Sequence, residues 1–259
     1  MARRSNALLA AKVGGRHVGE MIAGLLAART NRVDGPELIA DIGCGTGRPA
    51  RTLARRFPRA EILAIDASAP MLREARTHLR HHLAEDAHRI SYLQADFHRL
   101  PLGEANCQAA VAAFCLYHTP HPTKAVAEIA RTLVIGGTAI LVTKSADSYH
   151  ELDELLAATG LDPHATTRPS LYASASSTVL PAQVATALTV ESVISDHHVF
   201  CFRDARHLAA YLSTVPKYEL AAPLRSDPQA LSGELRRRRG NGPLLTTSTI
   251  TYVIARRSP

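Results

Sequence analysis

The sequence has no tryptophan, only four cysteines and no long apolar run. The cysteines, at Cys44, Cys107, Cys115 and Cys201, are scattered without a C-x-x-C pair. This spacing argues against a disulfide framework and a zinc site, and it suits a reducing cytosol. A membrane-spanning helix needs roughly 20 consecutive apolar residues, and the chain has no such run. We therefore expect a cytoplasmic protein with no membrane partner.

Acidic residues are also scarce relative to basic ones, since 23 Asp and Glu stand against 30 Lys and Arg. A net charge of +7 raises the question of nucleic acid. The arginines are spread along the chain, however, and the dense run 236–239 follows a polar turn region, as is typical of a solvated face. Aromatic residues for base stacking make up only 5%. We expect a small-molecule partner rather than nucleic acid, and the oligomeric state is left open.

Short apolar segments alternate with helical patterns in the first half of the chain. The strand-like segments are 37–42, 61–66, 89–95, 107–116 and 138–143. Each is a nearly continuous apolar run, which is typical of parallel strands covered by helices on both faces. Two later segments, 190–202 and 245–255, also read as strands. The predicted fold is α/β, a doubly wound, mostly parallel, seven-stranded sheet with an antiparallel last strand.

Three segments are expected along the chain. Residues 1–34 carry apolar positions at helical spacing and predict N-terminal helices. Residues 35–145 form the predicted doubly wound core. Residues 146–259 are predicted to supply a lid-like substrate insertion and the last strands of the same sheet.

A D-x-G-x-G-x-G loop, residues 41–47, follows the first core strand. Its glycines let the backbone turn sharply and approach a ligand, and the next helix aims its N-terminal amides there. Asp66 ends the following strand, where it is placed to accept both ribose hydroxyls of a nucleotide. Two ligands suit this context, a dinucleotide and S-adenosylmethionine (SAM). The Asp41 carboxylate would repel a pyrophosphate and attract an ammonium group, which favours SAM.

These motifs resemble those of class I SAM-dependent methyltransferases, in the order found in that family and over about residues 36–145. The matching segments are Asp41 to Gly47, Ala64-Ile-Asp-Ala-Ser68 with Met71, Gln94-Ala-Asp-Phe97, Phe114-Cys-Leu-Tyr-His118 and Glu128 to Gly137. The resemblance is nearest to the small-molecule branch that includes ubiquinone and menaquinone methyltransferases.

The resemblance implies a cofactor site for SAM at the ends of the first four core strands. The residues that it assigns to the methionine end and to the ribose are Asp41, Gly43, Cys44, Gly45, Gly47 and Asp66. Those that it assigns to the adenine and to the sulfonium are Ala67, Met71, Asp96, Phe97, Phe114 and Cys115. Within these sets, Asp96 is expected to accept from the adenine amine, and Phe114 and Cys115 to lie beside the sulfonium.

Tyr117 and His118 follow the fourth strand and are expected to face the substrate. His118 is the candidate base, because a neutral imidazole can take a proton near pH 7. The alternative, that His118 only hydrogen-bonds its own loop, stays open. His118-x-x-His121 offers two metal ligands without a third, so no metal is predicted.

The sequence thus predicts a SAM-dependent methyltransferase acting on O, N or C of a small molecule, with specialised metabolism as its setting. Two alternatives remain. The same binding motifs would serve an enzyme that transfers or cyclises the aminocarboxypropyl part of SAM. An RNA or protein methyltransferase is the other, although the Asn/Asp-Pro-Pro-Tyr/Phe motif of nucleic-acid amine methylation is replaced by Phe114-Cys-Leu-Tyr-His118.

Overall fold

A computed structural model describes residues 2–30 and 35–259, with side chains described from residue 7 onward. Residues 1 and 31–34 of the predicted N-terminal segment lie outside the described residues. The chain divides into two compact units. Unit 1 comprises Met1–Gly15, Ala146–Leu171 and Asp196–Thr249, and unit 2 comprises Arg16–Ser145, Tyr172–Ser195 and Ile250–Pro259.

Helices and strands alternate through most of the chain. The helices are α1 Ala2–Ala11, α2 Val18–Ala27, α3 Arg48–Arg56, α4 Ala69–Leu83, α5 Pro122–Thr132, α6 His150–Ala158, α7 Leu180–Val184, α8 Ala205–Leu212, α9 Ala222–Ser226 and α10 Pro228–Arg239. The strands are β1 Lys12–Gly14, β2 Leu38–Ile42, β3 Glu61–Asp66, β4 Ile90–Gln94, β5 Cys107–Ala113, β6 Leu133–Lys144, β7 Thr189–Phe202 and β8 Leu244–Arg256. None of these described helices combines the length and the apolar character needed to cross a bilayer.

The strands follow the hydrogen-bonded order β1-β7-β8-β6-β5-β2-β3-β4. Strands β6, β5, β2, β3 and β4 run parallel, and β8 pairs antiparallel with β6 from Lys144↔Ile250 to Thr138↔Arg256. The predicted α/β class, the parallel core and the antiparallel last strand are therefore confirmed. The assignment of 146–259 to a lid stays a prediction.

The number of strands differs from the predicted seven, because eight are present among the described residues. The additional strand is β1, which pairs antiparallel with β7 at Lys12↔Phe200 and Gly14↔Val199. A segment of three residues is too short to show a period of two, so the sequence predicted helices there. Gly15 ends the strand at a φ of +88°.

The core of unit 2 has two layers, because successive residues of a strand face opposite sides of the sheet. Ile39 packs in the cluster that α2, α3 and α4 cover, and the next residue, Ala40, packs in the cluster that α5 and α7 cover. Leu53 of α3 and Ile129 of α5 are almost fully buried in these two layers. The helices thus occupy both faces of the parallel strands, as a doubly wound fold requires.

One expectation was wrong, namely that the arginine run 236–239 in unit 1 follows a polar turn region. The residues before it form α10 rather than a polar turn region, and the run is the last turn of that helix. Asp227 caps the helix through its side chain, and only Leu231 and Leu235 bury large apolar side chains. Basic residues at a helix C-terminus interact favourably with its partial negative charge. So few apolar positions explain why the sequence pattern missed α10.

A buried arginine fixes the end of α3 to the start of β4. Arg89 donates to the carbonyl oxygens of Ala54, Phe57 and Ala60 at 3.0, 3.2 and 2.8 Å. The carbonyl of Ala54 lies four residues before Pro58, which has no N–H to continue the helix. The guanidinium therefore replaces the missing donor and satisfies backbone groups that would otherwise be buried without partners.

Replacing Arg89 with methionine removes these donors and leaves the carbonyl oxygens unsatisfied. We expect Arg89→Met to lower the free energy of unfolding by about 3 kcal/mol. The matched control is Arg73→Met on the exposed side of α4, for which we expect a change within about 0.5 kcal/mol. Urea denaturation followed by circular dichroism measures both. Equal midpoints for Arg89→Met and the wild type would contradict the role of Arg89.

Candidate functional site

The loop after β2 contains three glycines with left-handed backbone. Their φ angles are +65° at Gly43, +54° at Gly45 and +74° at Gly47. A Cβ on Gly43 would lie 2.5 Å from the Cβ of Cys115, and a Cβ on Gly47 would lie 2.7 Å from Cδ1 of Leu79. Apart from its chain neighbours, no atom of the described residues lies within 4 Å of a Cβ built on Gly45. Gly43 and Gly47 thus serve close packing, while Gly45 leaves an open space that a ligand can occupy.

Asp41, at the end of β2, is completely buried. Its Oδ2 accepts a hydrogen bond from the N–H of Ala50 at 3.1 Å, in the first turn of α3, and its Oδ1 has no partner among the described residues. Burial raises the pKa of Asp41 to about 7. The hydrogen bond from Ala50 lowers this pKa, and the negative charge of Asp66 raises it further. The carboxylate does not reach the surface, so it acts on a ligand through its charge and through the position of α3.

Asp66 joins the glycine loop to the loop after β3. Its Oδ2 accepts from the N–H of Gly45 and its Oδ1 from the N–H of Ser68, both at 2.8 Å. A carboxylate can accept about four hydrogen bonds, so acceptor capacity remains for a ligand. Ser68 caps α4 by accepting from the N–H of Met71, and Ala67 is exposed beside it.

A histidine that sequence reasoning missed connects the loops after β4 and β5. Nδ1 of His98 lies 2.7 Å from Oδ1 of Asp96, and Nε2 lies 2.8 Å from Oγ1 of Thr119. The hydrogen bond from the backbone N–H of His98 is the main cause of the lowered pKa of Asp96. Phe97 places its ring 4.7 Å from that of His98. The only local signal was the D-x-H spacing, and the contact with Thr119 is long-range.

The turn after β5 is held in a strained conformation. Phe114 has a φ of +59°, which non-glycine residues rarely adopt. Its N–H donates to the carbonyl of Val142 at 2.9 Å, and Sγ of the buried Cys115 lies 3.4 Å from the carbonyl oxygen of Ile42. Burial raises the pKa of the Cys115 thiol far above its usual range, so this cysteine is an apolar neighbour and not a nucleophile.

An aromatic wall, made of Phe114, Tyr117 and Tyr172, follows this turn. The rings of Tyr117 and Tyr172 are nearly perpendicular at 4.9 Å. Nζ of Lys144, at the end of β6, lies 5.3 Å from the ring of Phe114 and 5.5 Å from that of Tyr172. Such distances allow cation–π attraction. His118 is exposed, with its ring 4.6 Å from Tyr117. Sequence reasoning missed Lys144, because its neighbours are distant along the chain.

Most of the predicted residues thus lie along one edge, at the carboxyl ends of β2, β3, β4 and β5. The contacts of Gly45 with Asp66 and of His98 with Thr119 join the loops to one another. The side chains of Asp41, Cys44 and Cys115 are buried at this edge and do not face solvent. Among the residues that the structure describes, no three His, Cys, Asp or Glu side chains are grouped as a metal would require.

Comparisons with known proteins agree with this geometry. The model of a methyltransferase domain matches residues 39–137. The chain is 29% identical over 136 residues to the malonyl-[acyl-carrier protein] O-methyltransferase of Xylella fastidiosa, which covers 52% of this chain and 44% of that protein. It is 36% identical over 118 residues to the ubiquinone/menaquinone biosynthesis C-methyltransferase UbiE of Syntrophotalea carbinolica, covering 46% of this chain and 48% of that protein. The chain spans about half the length, or less, of these relatives.

Solved structures share the fold at low sequence identity. The YcgJ protein of Bacillus subtilis has a TM-score of 0.59 at 17% identity, covering 93% of this chain and 99% of that one. The [4+2]-cyclase SpnF has a TM-score of 0.57 at 20% identity, covering 92% and 81%. The geranyl diphosphate C-methyltransferase of Streptomyces coelicolor, solved with S-adenosyl-L-homocysteine, has a TM-score of 0.52 at 13% identity, covering 92% and 79%. Residues 39–137 therefore match a methyltransferase domain, and the chain shares its fold with solved methyltransferases.

Proposed function

We propose that this protein is a SAM-dependent methyltransferase that acts on a small molecule. The observation that carries the proposal is the open space at Gly45, whose N–H donates to the half-buried carboxylate of Asp66. The charge of Asp66 in turn raises the pKa of the buried Asp41, so both acids act at this loop. Two acids beside a glycine-rich loop suit a cationic nucleoside and oppose a pyrophosphate. When bound, SAM supplies a methyl group that its sulfonium charge has already activated.

The residues present suit each part of SAM. The charge of Asp41 attracts the ammonium group of the methionine end, and Asp66 keeps acceptor capacity for the ribose hydroxyls after its two backbone hydrogen bonds. Asp96 uses Oδ1 for His98, which leaves Oδ2 to accept from the adenine amine. Phe97 contacts the adenine ring. The further adenine and sulfonium contacts fall to Ala67, Met71, Phe114 and Cys115.

The acceptor side is formed by the aromatic wall, Lys144 and His118. Rings that bracket a cation can hold a flat or partly charged acceptor against the methyl group and exclude water from it. His118 takes the acceptor's proton at an imidazole nitrogen, while Tyr117 orients the imidazole. The relatives named above are O- and C-methyltransferases. We therefore propose that the methyl group is transferred to an O, N or C atom, in a reaction of specialised metabolism.

The location that we propose is cytoplasmic. All four cysteines are free, and three of them are buried. Thiols that persist without disulfides are typical of proteins in a reducing compartment. The partner that we propose is the small-molecule acceptor alone, without nucleic acid.

The ribose role of Asp66 makes a direct prediction. We expect Asp66→Ala to weaken SAM binding at least tenfold, because the ribose hydroxyls lose a charged acceptor and Gly45 loses its partner. Isothermal titration calorimetry measures the Kd. The matched control is Glu61→Gln, at the other end of the same strand, for which we expect no change. Unchanged affinity in Asp66→Ala would remove Asp66 from the ribose site.

The base role of His118 makes a second prediction. We expect His118→Gln to lower kcat by about 100-fold or more, because no base then takes the proton from the molecule that is methylated. The Kd for SAM should stay within twofold, because His118 is not assigned to the cofactor. His121→Gln, three residues away, is the control and should keep its kcat. If both variants retain kcat, His118 only hydrogen-bonds its own loop.

The reaction itself is tested by mass spectrometry. Purified protein is incubated with SAM and an RNA-depleted metabolite extract, and the nucleoside by-product is identified. We expect S-adenosylhomocysteine together with a metabolite heavier by one methylene. Enzyme-dependent methylthioadenosine would instead support aminocarboxypropyl transfer or cyclisation. The kinship in fold with a [4+2]-cyclase makes this check necessary, because a fold alone does not determine a reaction.

A further inference from the structure

A basic groove of about 470 Å³ lies between α4 and β4 in unit 2. It is lined by Arg76, Arg80, Ala87, His88, Ile90, Ser91 and Tyr92. None of these seven lining residues is acidic, and five of them have side chains that can donate hydrogen bonds. The groove therefore presents positive charge and hydrogen-bond donors around an open space.

Two arginines of the groove lie close together on one helix. Arg76 and Arg80 are four residues apart on α4, so they share a face of the helix, and their like charges repel. Both are exposed, and neither guanidinium has an acidic partner within the described part of the chain. The guanidinium of Arg76 lies 5.0 Å from the ring centroid of Tyr92, which holds it in place beside the groove.

The opposite wall adds hydrogen-bond donors without adding negative charge. Nδ1 of His88 lies 2.5 Å from the carbonyl oxygen of Glu85, to which it donates, so the ring is held in one orientation. Ser91 is exposed, and the hydroxyl of Tyr92 is buried with no hydrogen-bond partner in the described chain. The nearby carboxylate of Asp86 already pairs with Arg89.

The groove is separate from the proposed cofactor site. Its strand residues are Ile90, Ser91 and Tyr92 in the first part of β4, whereas the adenine residues follow the end of that strand after Gln94. The two residues of extended strand from Tyr92 to Gln94 span about 7 Å. On α4 the groove uses Arg76 and Arg80, well past the first turn, in which Met71 is assigned to the adenine.

We propose that this groove is a second binding site, which takes the phosphate groups of a phosphorylated small molecule. The planar fork of an arginine donates two parallel hydrogen bonds to phosphate oxygens. Two such forks, with His88 and Ser91 opposite, surround an anion from both walls. A bound phosphate also turns the repulsion between Arg76 and Arg80 into attraction to a shared partner. The site lies outside the proposed methyl-transfer chemistry.

Inorganic pyrophosphate is the probe for this site. Calorimetry on the full chain, with ionic strength held constant by chloride, should give saturable binding at one site per chain. Arg76→Gln and Arg80→Gln should each raise the Kd at least tenfold. Arg56→Gln is the matched control, because Arg56 is an exposed arginine on α3 that stacks on Phe57 in the same way, 5.8 Å from the ring centroid. It should change the Kd less than twofold.

Four results would overturn the proposal. The first is a lack of saturable binding by the wild type, and the second is equal weakening by Arg56→Gln and Arg80→Gln, which would indicate diffuse charge. The third is a loss of SAM affinity in Arg80→Gln that matches its loss of pyrophosphate affinity, which would assign the groove to the cofactor site. Circular dichroism checks that each variant is folded. Displacement of pyrophosphate by a single-stranded RNA in a strongly salt-dependent manner would instead identify a nucleic-acid surface and also overturn the proposal.

Discussion

The buried carboxylate of Asp41 is the constraint on which the binding edge depends. It ties the end of β2 to the start of α3 through the N–H of Ala50, where the positive end of the helix favours an anion. Burial nevertheless raises its pKa to about 7. A raised acid pKa stabilises the fold below the unfolded value near 4, and this stabilisation is lost as the pH rises through about 7. The loss amounts to about 4 kcal/mol, and a charge held against stability is typical of a functional site.

Hydrogen bonds also hold the other loops at this edge of the sheet. Asp66 holds the N–H of Gly45 and so fixes the open turn of the glycine loop to the next strand. His98 then links the loops after β4 and β5 through Thr119. The strained backbone of Phe114 lies at the same edge. Rigid parallel strands thus hold a set of loops whose polar groups keep capacity for a ligand.

The features that the sequence predicted lie in consecutive residues. The features that it did not predict depend on pairing between segments that are far apart in the chain. The apolar runs 37–42 and 61–66 match β2 and β3 to within a residue, because buried parallel strands are continuously apolar. The glycine loop and Asp66 were also visible, since their chemistry lies in consecutive residues. β1 was missed because its three residues owe their conformation to pairing with Phe200. The contacts of His98 and Lys144 join segments far apart in sequence, which no local pattern encodes.

Calorimetric titration of SAM at pH 6.5, in two buffers of different ionisation enthalpy, tests the central claim most directly. The wild type should release a fraction of a proton for each SAM molecule that it binds, because the cationic ligand favours the ionised form of Asp41. Asp41→Asn should bind SAM more weakly and release no proton from this source. Equal affinity and equal proton release in the two proteins, or no binding of SAM by the wild type, would contradict the account.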